Sequence, residues 1–183
     1  MNYKRWLLIA ACLFGIGLVL GLTTSTGIAG LLAEDIAALE ELAESLGELP
    51  QLAVFVVILV KNASALLISF AFSPIFCLVP LIALILNGWL LGLVSTAVIQ
   101  EKSLGYLLAG VLPHGIFEIP ALIMGEAVAF SFGTAVLLAL FKKERRNLLL
   151  LNVRQNLRYL IVALALLLPA AIIETYVTPL FLR

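Results

Sequence analysis

Apolar runs recur along this chain at lengths that match a bilayer, and most polar residues fall between them. A helix needs about 20 apolar residues to cross about 30 Å of hydrocarbon. Trp6 to Ser25, Gln51 to Phe72 and Ile75 to Ile99 each meet that requirement; a tight Ser73-Pro74 turn separates the second from the third, and the polar Gln100–Ser103 ends the third. A last run covers Tyr159 to Val177, before Pro179. The stretch from Gly105 to Phe141 is different, because as one straight helix it would be about 55 Å long. Such a segment has to break, tilt strongly or re-enter, and the break signals Pro113, Gly115 and Pro120 cluster in "PHGIFEIP". The pattern predicts an all-α, polytopic transmembrane helix bundle of about five crossings, with a broken or re-entrant helix around 113–120.

Two connections carry their own pattern. Between the first two spans, Leu32, Ile36, Leu39, Ala43 and Leu46 keep a 3-4 spacing while Glu34, Glu41, Glu44 and Glu48 occupy other faces, with Gly47 and Pro50 as a stop. This predicts an amphipathic acidic surface helix over 31–48, either a cover on the bundle or a docking surface for a partner protein. Between the long segment and the last span, the basic 142–158 stretch reads as an interfacial helix.

Charge orients these elements. Glu34, Asp35, Glu40, Glu41, Glu44 and Glu48 supply six of the 11 acids, and Lys142, Lys143, Arg145, Arg146, Arg154 and Arg158 six of the 11 bases. Short loops rich in Lys and Arg face the cytoplasm, so the N-terminus and 142–158 should be inside. The acidic 26–50 loop should be outside. Three crossings between the two loops make this consistent and leave the C-terminus outside. The chain is then a multi-pass protein of the cell (inner or plasma) membrane.

Composition agrees with that class. Apolar residues make up 63% of the 183 positions, charged residues 12%, and the mean hydropathy is +1.19. Opposite charges segregated into two loops suit membrane topology, and no nucleic acid is expected as a partner. Nothing resembles a P-loop or nucleotide fingerprint, so no nucleotide or other cofactor is expected either. Cys12 and Cys77 lie in apolar spans without a CxxC motif and read as packing residues. The Lys4/Arg5 start could mimic a secretory signal, but its apolar run exceeds the 7–15 residues of a cleaved signal and reads as a retained first span. No internal repeat or linker divides residues 1–183, which form a single integral membrane domain.

The informative residues are the polar ones at membrane depth, where ionisable groups face the bundle interior, pair, or mark a pathway. Lys61 and Asn62 fall mid-way along the second span, Asn87 mid-way along the third, His114, Glu118 and Glu126 in the long segment, and Glu174 near the outer end of the last span. His114 and Glu118 share a helical face at i, i+4 spacing. In the plainest arrangement Lys61 pairs with an intramembrane glutamate and the asparagines stitch helices together. Alternatively, an ionisable cluster at a broken helix is how transporters build substrate or proton sites. A metal site at His114 and Glu118 is chemically possible, although one histidine without a second is a weak signature. No GxSxG or paired-acid arrangement suggests a hydrolase, and the chain is not expected to be an enzyme.

Taken together, "KNAS" with Asn62, "NGWLLG" with Asn87, Gly88 and Gly92, "PHGIFEIPA" from Pro113 to Ala121, and "IIETYVTP" with Glu174 and Pro179 resemble the stage II sporulation protein M family. The resemblance covers most of the chain from the second span onward. It implies a membrane anchor that recruits cell-wall-degrading enzymes in spore formers and is not itself the hydrolase; many relatives occur in organisms that make no spores. The expected function is therefore a scaffold or assembly subunit of a membrane complex, working with protein partners or by self-association. The alternatives are a transporter or channel subunit and, less favoured, an intramembrane metal-binding protein.

Overall fold

A computed structural model describes residues 3–24 and 49–182. The amphipathic helix expected over 31–48 lies outside the described residues. Those described are helical, with no strand among them: α1 (Tyr3–Leu22), α2 (Gln51–Phe72), α3 (Leu78–Glu101), α4 (Leu104–Phe141), a 3-10 turn (Lys143–Arg145), α5 (Arg146–Ile172), a π-helical turn (Ile173–Val177) and a short α6 (Thr178–Phe181). Five helices are long and apolar enough to cross a membrane: α1, α2, α3, α4, and α5 continued to Phe181. Large apolar side chains such as Leu8, Val60, Leu67, Ile116 and Ile161 point outward, as lipid-facing positions do.

The predicted break in the fourth segment does not occur. Residues 104–141 form one uninterrupted helix that carries Pro113 and Pro120 inside it. Each proline removes one N–H, leaving the carbonyls of Ala109 and Ile116 without their usual i+4 donors. Neighbouring helices support such defects at membrane depth. Here α4 is the hub, touching α1, α2, α3 and α5. From Gly125 to Ser131 every residue is buried, so this part of α4 is enclosed all round. Of its apolar window 56% is buried, against 11% for α2, which makes α4 the core and α2 a peripheral wall. Its roughly 57 Å length exceeds the hydrocarbon and is absorbed by tilt or projection, not by a break.

Both ends of α4 are capped. The Ser103 hydroxyl accepts from the Tyr106 N–H at 3.1 Å, and Arg146 Nε donates to the Ala139 carbonyl at 3.1 Å. Two other boundaries differ from expectation. The basic 142–158 stretch is no separate interfacial helix, because α5 runs from Arg146 into the last span without a stop. The departure from α-helical geometry comes instead at Ile173–Val177, where the Thr178 N–H bonds to the Ile173 carbonyl five residues back. Pro179 follows directly and cannot donate to the Thr175 carbonyl, which favours the wider turn.

The α1–α3 contact rests on four glycines. A Cβ on Gly17 would fall on the Ile85 carbonyl, one on Gly21 on the Trp89 carbonyl, one on Gly88 on the Phe14 carbonyl and one on Gly92 on the Leu18 carbonyl. Gly17-x3-Gly21 and Gly88-x3-Gly92 thus face each other and let two backbones touch, the small-residue packing that associates helices where lipid supplies no hydrophobic drive. Beside this seam Trp6 stacks on Phe130 at 5.7 Å and Tyr3 on Tyr159 at 4.0 Å. Between α2 and α3, the turn at 73–77 closes through left-handed Phe76 and Cys77 and packs against Gly133, where a Cβ would meet the Ser73 carbonyl.

Gly88→Ala is expected to lower unfolding stability in detergent by about 1–3 kcal/mol through overpacking. Gly15→Ala, which meets nothing within 4 Å, should be neutral or stabilising by up to about 1 kcal/mol through helix propensity. Equal losses in both variants, read by denaturant titration, would rule out the close seam.

Candidate functional site

The i, i+4 spacing on α4 places His114 and Glu118 on one face, and because the helix is continuous that face persists one turn either side of each. His114 Nε2 lies 3.8 Å from Glu118 Oε2. Asn62 on α2 turns its amide onto this face and donates to Glu118 Oε1 at 2.8 Å. From the C-terminal segment, Thr178 Oγ1 lies 3.3 Å from His114 Nδ1. The π-helical turn brings in Glu174, so that one ligand-type atom of each of His114, Glu118 and Glu174 lies within 4.8 Å of the others. Their side chains are half-buried.

Two further polar residues, Glu126 on α4 and Asn87 on α3, border the same region. Glu126, two turns beyond Glu118, is fully buried and accepts a short hydrogen bond from Ser69 of α2. Asn87 donates to the Ala83 carbonyl of its own helix at 2.8 Å and so braces no second helix. It does border both cavities of this region. One, of about 150 Å³, is lined by Phe14, Asn87, Leu91, Val111, His114, Gly115, Glu118, Ile119 and Leu122. The other, of about 60 Å³, is lined by Asn62, Ala65, Leu66, Ala83, Asn87, Glu118, Leu122, Glu126 and Leu167. Each exceeds the roughly 10–15 Å³ that admits one water on this measure, and Glu118 stands on the wall they share.

The polar residues anticipated from sequence are therefore mostly brought together, with one departure. Lys61 is exposed on α2 and forms no ion pair with a glutamate among the described residues. Its neighbour Asn62 takes the inward position, since adjacent helical residues differ by about 100° in direction. Several participants were not anticipated. Ser69 and Thr178 carry no charge and stand out in no hydropathy pattern, and Thr175, next to Glu174, buries a hydroxyl that lacks a hydrogen-bond partner, as the Asn156 amide does far from the site on α5. An i, i+4 spacing from Glu174 to Thr178 is visible in the sequence, but the π turn that aims both at α4 is not.

The family model described as "Stage II sporulation protein M" matches residues 9–179. The chain belongs to this family. Its relatives include an uncharacterised protein of Methanocaldococcus jannaschii, 32% identical over 123 residues that cover 67% of this chain and 69% of the archaeal one. No solved structure matches the chain. Within this stage II sporulation protein M family member, the four segments that carried the resemblance have separate physical jobs. Asn62, the "PHGIFEIPA" helix face and Glu174 converge, whereas Gly88 and Gly92 of "NGWLLG" serve the α1–α3 seam.

Removing the Ser69 hydroxyl strands the buried Glu126 carboxyl, so Ser69→Ala is expected to cost about 1–2 kcal/mol. Asn87→Ala, exposed and bonded only within its helix, should change stability by less than about 0.5 kcal/mol. A double-mutant cycle with Glu126→Gln checks the pair: additive losses would mean that Ser69 and Glu126 act independently.

Proposed function

We propose that this protein is an assembly subunit of a membrane complex: a braced helical bundle that holds protein partners and performs no hydrolysis itself. The observation that carries this reading is the use made of the intramembrane polar groups. Asn62 ties α2 to α4 through Glu118, Ser69 ties α2 to α4 again through Glu126, and Thr178 meets His114 from the C-terminal segment. Each bond joins α4 to a different segment or level, which is how a rigid scaffold spends polar groups in lipid. The unbroken α4 lends further support, since it lacks the discontinuous helix typical of transporter sites. Membership of the family agrees with an anchoring role. In the proposed orientation the N-terminus and the basic 142–158 region are cytoplasmic and the acidic 26–50 region is on the other side.

A transporter or channel subunit is the second reading, and one observation favours it: cavities lie on both sides of Glu118. The two readings separate in experiment. Affinity purification from native membranes is expected to recover the same protein partner in near-stoichiometric amount; recovery of the tagged chain alone would defeat the assembly reading. A thiol placed at Val111 in the wall of the larger cavity, with Cys12 and Cys77 replaced, should react with membrane-impermeant reagent from one side of the membrane only. Reaction from both sides would establish a through-path and favour transport.

A further inference from the structure

The convergence of His114, Glu118 and Glu174 goes beyond bracing. Two segments that need not meet, α4 and the π-helical turn, bring one imidazole and two carboxylates within 4.8 Å. Glu118 and Glu174 repel each other when both are ionised, and Lys61 of α2, exposed and without an ion pair to either, acts on Glu174 only from a distance. A cation held between the two carboxylates would relieve that repulsion at membrane depth.

The spacing suits one. His114 Nε2 and Glu118 Oε2, at 3.8 Å, are too far apart for a hydrogen bond. Ligands about 2.0–2.2 Å from a shared tetrahedral ion stand about 3.3–3.6 Å apart, so the His114–Glu118 gap closes by a few tenths of an ångström and that to Glu174, within 4.8 Å, by up to about 1.5 Å. Each of the two α4 ligands is also oriented from outside. With Nδ1 protonated and donating to Thr178, the imidazole lone pair sits on Nε2, the nitrogen that faces Glu118. Asn62 holds Glu118 Oε1, leaving Oε2 toward the histidine. Such outer partners fix tautomer and direction in metal sites. The third ligand is delivered by a π-helical turn, a distortion that recurs at functional sites and here also buries the unpartnered Thr175 hydroxyl. The cavity of about 150 Å³ beside His114 and Glu118 supplies a way in and room for a water ligand.

We propose that His114, Glu118 and Glu174 bind one divalent first-row transition ion, with Asn62 and Thr178 as positioning residues. One imidazole with two carboxylates suits zinc, iron(II) or manganese(II), while magnesium and calcium prefer all-oxygen shells. This site does not depend on the assembly reading and would be present in a scaffold or a transporter alike.

The test uses the full-length, tag-free protein in detergent, stripped with chelator and titrated with Co²⁺ and, by competition with a chromophoric chelator, Zn²⁺. One ion per chain is expected, with excess Mg²⁺ unable to displace it. Glu174→Gln and His114→Gln should each weaken binding by more than about 100-fold and Asn62→Ala by about 10-fold, on the scale of outer-partner losses. Cys12→Ser should leave binding unchanged. X-ray absorption of Zn²⁺ on the unmodified protein should show a nitrogen and oxygen shell with one imidazole and no sulfur, a readout that holds even if a variant fails to fold. Absence of stoichiometric binding, a sulfur-containing shell, or full affinity in both ligand variants would overturn the proposal.

Discussion

Hydrocarbon offers no hydrogen-bond partner, so every polar group that enters it has to be satisfied by the protein itself. α4 is organised by that constraint. It carries two prolines, a histidine and two glutamates, any of which would be costly on a lipid-facing helix. Enclosure by the other helices makes the sequence tolerable. The order of the architecture follows: the segment with the most polar liabilities is central, and α2, at the periphery, turns Asn62 and Ser69 inward onto it.

The same constraint divides the polar residues by depth of enclosure. Glu126, sealed on all sides, has a single hydroxyl partner and borders only the smaller cavity. Glu118 and His114, nearer the half-exposed part of α4, have partners and a cavity beside them. Enclosure therefore decreases along one helix face from Glu126 to His114, with the larger cavity at the less enclosed end.

Much of this was legible in the sequence, because span length and hydropathy report on a bilayer of fixed thickness. α2 begins and ends where the apolar run does, at Gln51 and Phe72. The shared face of His114 and Glu118 followed from spacing alone. The prolines misled because their effect on a helix in water is local, whereas inside a bundle the surrounding helices decide whether the chain breaks. Glu174 could not be joined to the α4 pair from sequence, since it stands within a π turn that no hydropathy pattern reveals. Lys61 and Asn62 are adjacent, and only packing decides which of the two faces inward. The α1 glycines left no signal in hydropathy, because a glycine seam is defined by what is missing from both surfaces.

That seam has a consequence for how the molecule is made. α1 and α3 are not neighbours in the chain, and chains enter the bilayer from the N-terminus. The Gly17 and Gly21 face of α1 is therefore synthesised first and has no partner until Gly88 and Gly92 arrive. During that interval α1 presents a bare small-residue surface to the membrane, of the kind on which identical helices pair. The arrival of α3 is what covers that surface, through Gly88 and Gly92.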